Sequence, residues 1–203
     1  GLHDLHLLTE RQESVLPKTA DYEEYRFDIP ANLIGQIQQL AIEQKTTLFT
    51  LMLGVYWLLL SRHSQQQNFA LAIPTDGRFN ADLEPLIGCF VNTVLFSPSN
   101  KTLNGVTGKD FIADVKHCLL AALEHQNLPF DVLVSNLQAT RINGMNPLAQ
   151  ALFTFQETLQ AEPLFGVPQT DFFNHYASGK TFEISLNIEP KNQSFGWSAC
   201  FEF

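Results

Sequence analysis

Few residues in this chain have types and spacings that could do chemistry. Its six histidines stand at positions 3, 6, 63, 117, 125 and 175, and no two of them are four residues apart, as metal ligands on one helix face would be. The sequence contains no glycine-rich phosphate loop, no His-Glu-x-x-His pair and no Gly-x-Ser-x-Gly nucleophile elbow. We therefore expect no metal site and no self-contained hydrolase or nucleotide site.

Two side chains remain as candidates for a role in a reaction. His125 could act as a general base, but it closes a helical pattern before a turn, where a histidine interacts favourably with the helix dipole. We therefore interpret it as structural. Arg78 follows Gly77 after a predicted strand, where glycine lets the backbone approach another segment closely. Arg78 is either a supporting functional residue or a solvated surface side chain, and the residues alone leave both open.

Three stretches carry the most specific signal. They are residues 87–93 (Ile-Gly-Cys-Phe-Val-Asn-Thr), 125–131 (His-Gln-Asn-Leu-Pro-Phe-Asp) and 141–148 (Arg-Ile-Asn-Gly-Met-Asn-Pro-Leu). In this order and at these spacings they resemble the last three core motifs of nonribosomal peptide synthetase condensation domains. The resemblance extends upstream through residues 47–49 and 73–78 and covers most of residues 16–203.

This resemblance implies a fold and an activity. Condensation domains consist of two chloramphenicol-acetyltransferase-like halves that face each other across a channel. Their catalytic motif, His-His-x-x-x-Asp-Gly, does not occur in this sequence. We therefore expect residues 1–203 to be the C-terminal half of such a domain and to be inactive alone. The intact domain would transfer an acyl or peptidyl group from a donor carrier-protein thioester to the amine of an acceptor aminoacyl carrier protein.

The resemblance also assigns roles to single residues, none of them catalytic. Arg78 would support catalysis by pairing with the aspartate of the missing motif. Phe90, Asn92 and Thr93 would line the substrate channel; alternatively, Asn92 and Thr93 satisfy neighbouring backbone within a core strand. Ile142 replaces the aspartate that is common in the family, which weakens any salt bridge there. The structural motif positions are Gly88, His125, Gln126, Pro129, Phe130, Asn146 and Pro147.

The implied partners follow from the same resemblance. They are the N-terminal half of the domain, donor and acceptor peptidyl carrier proteins, and a neighbouring adenylation domain. No cofactor would bind directly, because 4′-phosphopantetheine is attached to the carriers. Two alternatives stay open: a catalytically silent docking platform, and a stand-alone acyltransferase of the same superfamily. A degraded catalytic motif upstream would favour the platform, whereas a carrier or adenylation domain downstream would argue against the stand-alone enzyme.

Composition limits the remaining classes. With 203 residues, 45% of them hydrophobic and 16% charged, the chain can form one globular domain. Its net charge of −9 and scattered lysines and arginines argue against nucleic acid. Three distant cysteines suggest reduced thiols and a cytoplasmic protein. The most apolar run, residues 48–60, is shorter than the ~20 residues that span a bilayer, so we expect no membrane span.

Periodicity predicts a mixed α/β fold. A lead-in of linker character occupies residues 1–22, and a crossover loop occupies residues 157–180. We expect these elements to form a two-layer sandwich of a mixed sheet with helices. Strands are predicted over residues 24–29, 69–73, 88–96, 149–156, 181–188 and 197–203, with the last two expected to pair as a hairpin, and helices over residues 30–45, 48–62, 108–126 and 130–137. Thr47 is the expected N-cap of the second helix, which we expect to be buried; Thr107 with Asp110 resembles a capping box; and Asn127 with Pro129 ends the third helix. Residues 146–148 are expected to form the turn that starts the next strand.

Overall fold

A computed structural model of the chain describes residues 4–7, 23–78, 80–98, 105–139, 146–156, 182–190 and 197–202. The helices are α1 (Ala31–Glu43), α2 (Leu48–Ser64), α3 (Gly108–Glu124) and α4 (Phe130–Asn136). The strands are β1 (Glu24–Ile29), β2 (Leu71–Thr75), β3 (Asn92–Phe96), β4 (Ala151–Phe155), β5 (Ile184–Pro190) and β6 (Trp197–Glu202).

The strands form one sheet in the order β1-β6-β5-β4-β2-β3. The pairs β2–β4 and β4–β5 are parallel, whereas the other three pairs are antiparallel. The predicted mixed sheet with helices is therefore confirmed. The predicted pairing of the last two strands is also confirmed, with Ile188 opposite Ala199.

Helix α2 lies at the centre of the hydrophobic core. Thr47 caps it as predicted, because the hydroxyl of Thr47 accepts a hydrogen bond from the Thr50 backbone N–H at 3.1 Å. Leu53, Tyr56 and Trp57 are each at most 1% exposed, and the two aromatic side chains contact Phe153 and Phe69 respectively. The predicted buried helix is thus confirmed.

Strand β3 is shorter than its apolar run suggests. The sequence predicts a strand over residues 88–96, but the extended pairing begins only at Asn92, opposite Thr75. Beyond Thr75 the partner segment loses the extended conformation at Gly77, whose φ is +66°, although Gly77 stays close to the Phe90 carbonyl. Residues 88–91 therefore have no strand to pair with, and they continue as a loop.

The predicted lead-in contains a fixed segment. The Leu5 side chain is 1% exposed, and its backbone N–H donates to the Gln150 side chain at 3.0 Å. The Gln66 side chain holds both neighbours, since it donates to the Asp4 carbonyl at 2.8 Å and accepts from the His6 N–H at 2.6 Å. Residues 8–22 of the lead-in and the predicted crossover loop, residues 157–180, lie outside the described residues.

Candidate functional site

The Arg78 guanidinium organises the loop that leads into β3. It donates to the Leu83 carbonyl, and to the Gly88 carbonyl at 3.4 Å. It also lies over the Phe90 ring, 4.4 Å from the ring centroid, in a cation–π contact. Arg78 is half-buried. The Arg78 side chain therefore ties together both ends of the loop and is only partly exposed to solvent.

Gly77 permits this arrangement. A Cβ at Gly77 would lie 1.8 Å from the Phe90 carbonyl oxygen, and its φ of +66° is a conformation that other residues rarely adopt. The backbone N–H of Arg78 also donates to the Asp76 carboxylate at 3.0 Å. The close approach inferred from the sequence at Gly77 is confirmed, and Phe90 is the segment that it approaches.

Asn92 holds a second motif against the sheet. Its side-chain amide donates to the carbonyls of Gln126 and Leu128, at 2.7 and 2.8 Å. Its side-chain oxygen accepts from the Phe130 backbone N–H at 3.1 Å. Two carbonyl partners and one N–H partner fix the orientation of the amide. The Asn92 side chain therefore bonds backbone, but its partners come from the α3–α4 turn and not from neighbouring residues of a core strand.

Thr93 does not share the direction of Asn92. Successive side chains of a strand point to opposite faces of the sheet. Asn92 lies on the same face as the core residues Val94 and Phe96, whereas Thr93 lies with Leu95, which packs against a small cluster on the other face. Asn92 and Thr93 thus cannot line one surface together.

The turn bound by Asn92 explains the second motif. His125 ends α3 as its C-cap residue, and its exposed side chain fits the structural interpretation. Pro129 begins α4 as its N-cap residue, where the absence of an N–H costs nothing. Phe130 supplies the N–H that Asn92 accepts. This motif is the turn that joins α3 to α4, and the Asn92 side chain holds its backbone, as the helix-ending residue types in the motif predict.

Asn146 builds the turn before β4. Its side-chain oxygen accepts from the Leu148 and Ala149 N–H groups, both at 3.1 Å, and the side chain is 8% exposed. Pro147 lies inside this turn. The predicted turn is confirmed at residues 146–149, whereas Arg141 and Ile142 lie outside the described residues.

The described side chains include no group suited to metal binding. No three histidine, cysteine, aspartate or glutamate side chains among them come together as a cation site. Cys89 is exposed, whereas Cys118 and Cys200 are partly buried. Within the described part of the chain, no helix has the length and apolarity needed to cross a membrane.

Two features were not anticipated from the sequence, one in this region and one in the core helix α2. Leu86 and Ile87 are 49% and 105% exposed at the tip of the loop that Arg78 organises. Val91, next to the Asn92 contacts, is 63% exposed. The adjacent apolar pair Leu86-Ile87 within a polar stretch was the available signal. The buried Tyr56 hydroxyl, which has no hydrogen-bond partner among the described residues, carried no local signal.

Comparison with known proteins identifies the class. The condensation-domain family model matches residues 2–202. Tyrocidine synthase 3 of Brevibacillus parabrevis is 37% identical over 159 residues, which cover 78% of this chain and 2% of the synthase. Gramicidin S synthase 2 of Aneurinibacillus migulanus is 31% identical over 183 residues, which cover 90% of this chain and 4% of that synthase. The chain therefore belongs to the condensation-domain family, as its motifs predict.

Solved structures share the fold. The condensation domain of the monacolin K polyketide synthase MokA aligns with a TM-score of 0.73 at 16% identity, covering 100% of this chain and 47% of its own. The X-domain from teicoplanin biosynthesis aligns with a TM-score of 0.77 at 15% identity, covering 98% and 45%. The four-domain nonribosomal peptide synthetase AB3403 aligns with a TM-score of 0.73 at 21% identity, covering 90% and 15%. This chain spans about half of the first two structures and is a partial domain.

Proposed function

We propose that this chain is the C-terminal half of a peptide synthetase condensation domain that forms amide bonds. The intact domain transfers an acyl or peptidyl group from a donor carrier-protein thioester to the amine of an acceptor aminoacyl carrier protein. The catalytic histidine belongs to the other half, which positions it beside the attacking amine. Membership of the family over residues 2–202 is the observation that carries this proposal.

The contacts at the start of β3 support a positioning role for this half. Arg78 and Asn92 fix two separate motif segments around the same strand end, one at residues 83–90 and one at residues 126–130. Neither side chain is needed to complete the hydrophobic core. Such fixed loops suit a channel wall, which must hold its shape while a substrate passes. Phe90 and Thr93 remain proposed as wall residues, whereas the amide of Asn92 is occupied by backbone.

The exposed tip of the Arg78 loop supports contact with the N-terminal half. Leu86 and Ile87 expose large apolar surface that a folded protein usually covers. The aspartate of the catalytic motif would meet Arg78 at this boundary. The guanidinium already has two carbonyl partners, so that aspartate would join a side chain whose position is fixed.

The 4′-phosphopantetheine arms are parts of the substrates. They belong to the donor and acceptor carriers, and an adenylation domain of the same synthetase would load the acceptor. Carriers and adenylation domain are thus the proposed partners, together with the N-terminal half.

A transfer assay tests the proposal. The intact domain is mixed with donor and acceptor carriers loaded with aminoacyl thioesters, and the acceptor is analysed by mass spectrometry. We expect an acceptor heavier by the donor acyl group, and no such product when the second histidine of the catalytic motif is replaced by alanine. Equal product from both proteins would overturn the assigned chemistry. No product, together with a degraded motif upstream, would favour a docking platform.

A further inference from the structure

A groove on the helical layer lies apart from the motif residues. It runs between the C-terminal end of α1 and one side of α3, and its volume is about 380 Å³. Lys45 borders it from the loop after α1, and Lys109, Lys116 and His117 border it from α3. The sheet-edge residues described above do not line it, so it is not part of the proposed channel wall.

The groove concentrates positive charge on an acidic protein. Three of the chain's 12 lysine and arginine residues line it, while the net charge of the chain is −9. Among the described residues, no salt bridge neutralises these three lysines. None of the residues that line the groove is an aspartate or a glutamate, although Glu43, Asp110 and Asp114 are close to them in the sequence. The groove is thus a local positive site.

One lysine is held in place beside the groove. The Lys116 ammonium donates to the Lys45 carbonyl at 2.7 Å. An ammonium has three N–H donors, so this bond leaves two of them for an anion. The same bond ties the loop after α1 to α3, and both Lys45 and Lys116 border the groove.

The floor of the groove is apolar. Ile112 and Leu120 lie between the lysines, and Leu120 is 52% exposed. A small hydrated anion gains little from such a floor, whereas an acidic protein segment can place an apolar side chain there and its carboxylates on the rim. We propose that this groove docks an acidic segment of another protein domain through an apolar anchor flanked by carboxylates. The positive rim would attract such a segment, and the negative charge elsewhere on the chain would repel it from other surfaces.

Binding to the full 203-residue chain tests this proposal. The probe is a fluorescein-labelled peptide of repeated Glu-Glu-Leu units, compared with its Gln-Gln-Leu counterpart by fluorescence anisotropy at low ionic strength. We expect the acidic peptide to bind more tightly, and the affinity to fall as salt is added. Replacing two lysines, as Lys109→Gln with Lys116→Gln, should raise Kd about tenfold, because each exposed ion pair contributes up to about fivefold.

The matched control is Arg62→Gln, which removes an exposed cation at the end of α2 and should leave Kd unchanged. Equal loss in this control, or equal binding of the two peptides, would overturn the proposal. Displacement of the acidic peptide by millimolar inorganic phosphate would instead assign the groove to small anions. If the double variant does not fold, Lys109→Gln alone should still raise Kd about threefold. The outcome is independent of amide formation, since binding here needs no turnover.

Discussion

Replacement of Asn92 tests whether its side chain holds the α3–α4 turn. Asn92→Ala removes three hydrogen bonds to the backbone of residues 126–130. At about 0.5–1.5 kcal/mol for each bond, the loss is about 1.5–4.5 kcal/mol. Because Leu128 is exposed, water can replace Asn92 at the Leu128 carbonyl. We therefore expect a loss of stability in the lower half of this range, about 2–3 kcal/mol.

Asn92→Asp makes the test more specific. The oxygen that replaces the amide nitrogen would face two carbonyl oxygens, at the positions where the nitrogen now lies 2.7 and 2.8 Å away. Repulsion would then add to the lost hydrogen bonds. We therefore expect this variant to be less stable than Asn92→Ala by about 1 kcal/mol at neutral pH. The difference should narrow towards about pH 4, where a protonated carboxyl can donate.

The assay is urea unfolding of the 203-residue chain, followed by circular dichroism. Asn127→Ala is the matched control, because Asn127 is exposed in the same turn and should change stability by less than about 0.5 kcal/mol. An Asn92→Ala protein as stable as the wild type would refute the reasoning. So would an Asn92→Asp protein as stable as Asn92→Ala, since the donor role of the amide would then be wrong.

Three further predictions concern the core and the loop. Burial raises the pKa of Tyr56, so the stability that its neutral form provides is complete below about pH 10 and falls above it by up to ~1.4 kcal/mol per pH unit. In urea unfolding at pH 9–11, Tyr56→Phe should remove this fall in the free energy of unfolding, whereas Tyr25→Phe, at a 63% exposed position, should leave it. If the free energy of unfolding of Tyr56→Phe fell with pH as in the wild type, Tyr56 would not be its cause. Leu53→Asp should make the protein insoluble or lower its free energy of unfolding by several kcal/mol, since Leu53 is 0% exposed, whereas Val55→Asp at a 60% exposed position should be tolerated. A soluble Leu53→Asp protein with an unchanged melting temperature would contradict the burial of Leu53. Arg78→Ala in the intact domain should lower the condensation rate sharply, and Arg78→Lys should restore little, because lysine lacks the planar guanidinium that reaches two partners. A wild-type condensation rate in either variant would contradict the supporting role of Arg78.

Residues near the helix ends predicted where α2, α3 and α4 begin and end. The apolar run after Thr47 predicts α2, because a hydroxyl at that position can satisfy a free N–H of the first turn. Asn127 and Pro129 predict the break between α3 and α4, because proline lacks the backbone N–H that would continue a helix. At Thr107 the capping box is only half formed: the hydroxyl accepts from the Asp110 N–H at 3.3 Å, while the Asp110 carboxylate accepts from that hydroxyl.

Contacts between distant segments could not be predicted in the same way. The strand run at residues 88–96 is interrupted because its partner turns at Gly77, and periodicity within the run holds no information about that partner. The side chain of Gln150 bonds to Leu5, which is 145 residues away. Asn92 was recognised as a polar residue that needs partners, but which backbone it bonds depends on how the helical layer packs on the sheet.

The most direct test compares this chain with the domain that contains it in one transfer assay. Equal concentrations of the 203-residue chain and of the intact domain are each mixed with loaded donor and acceptor carriers, and the condensed product is quantified by mass spectrometry over time. We expect product from the intact domain and, from the chain alone, only the rate of uncatalysed aminolysis. Turnover by the chain alone, clearly above that rate, would contradict the claim that this half shapes the channel while the other half supplies the chemistry.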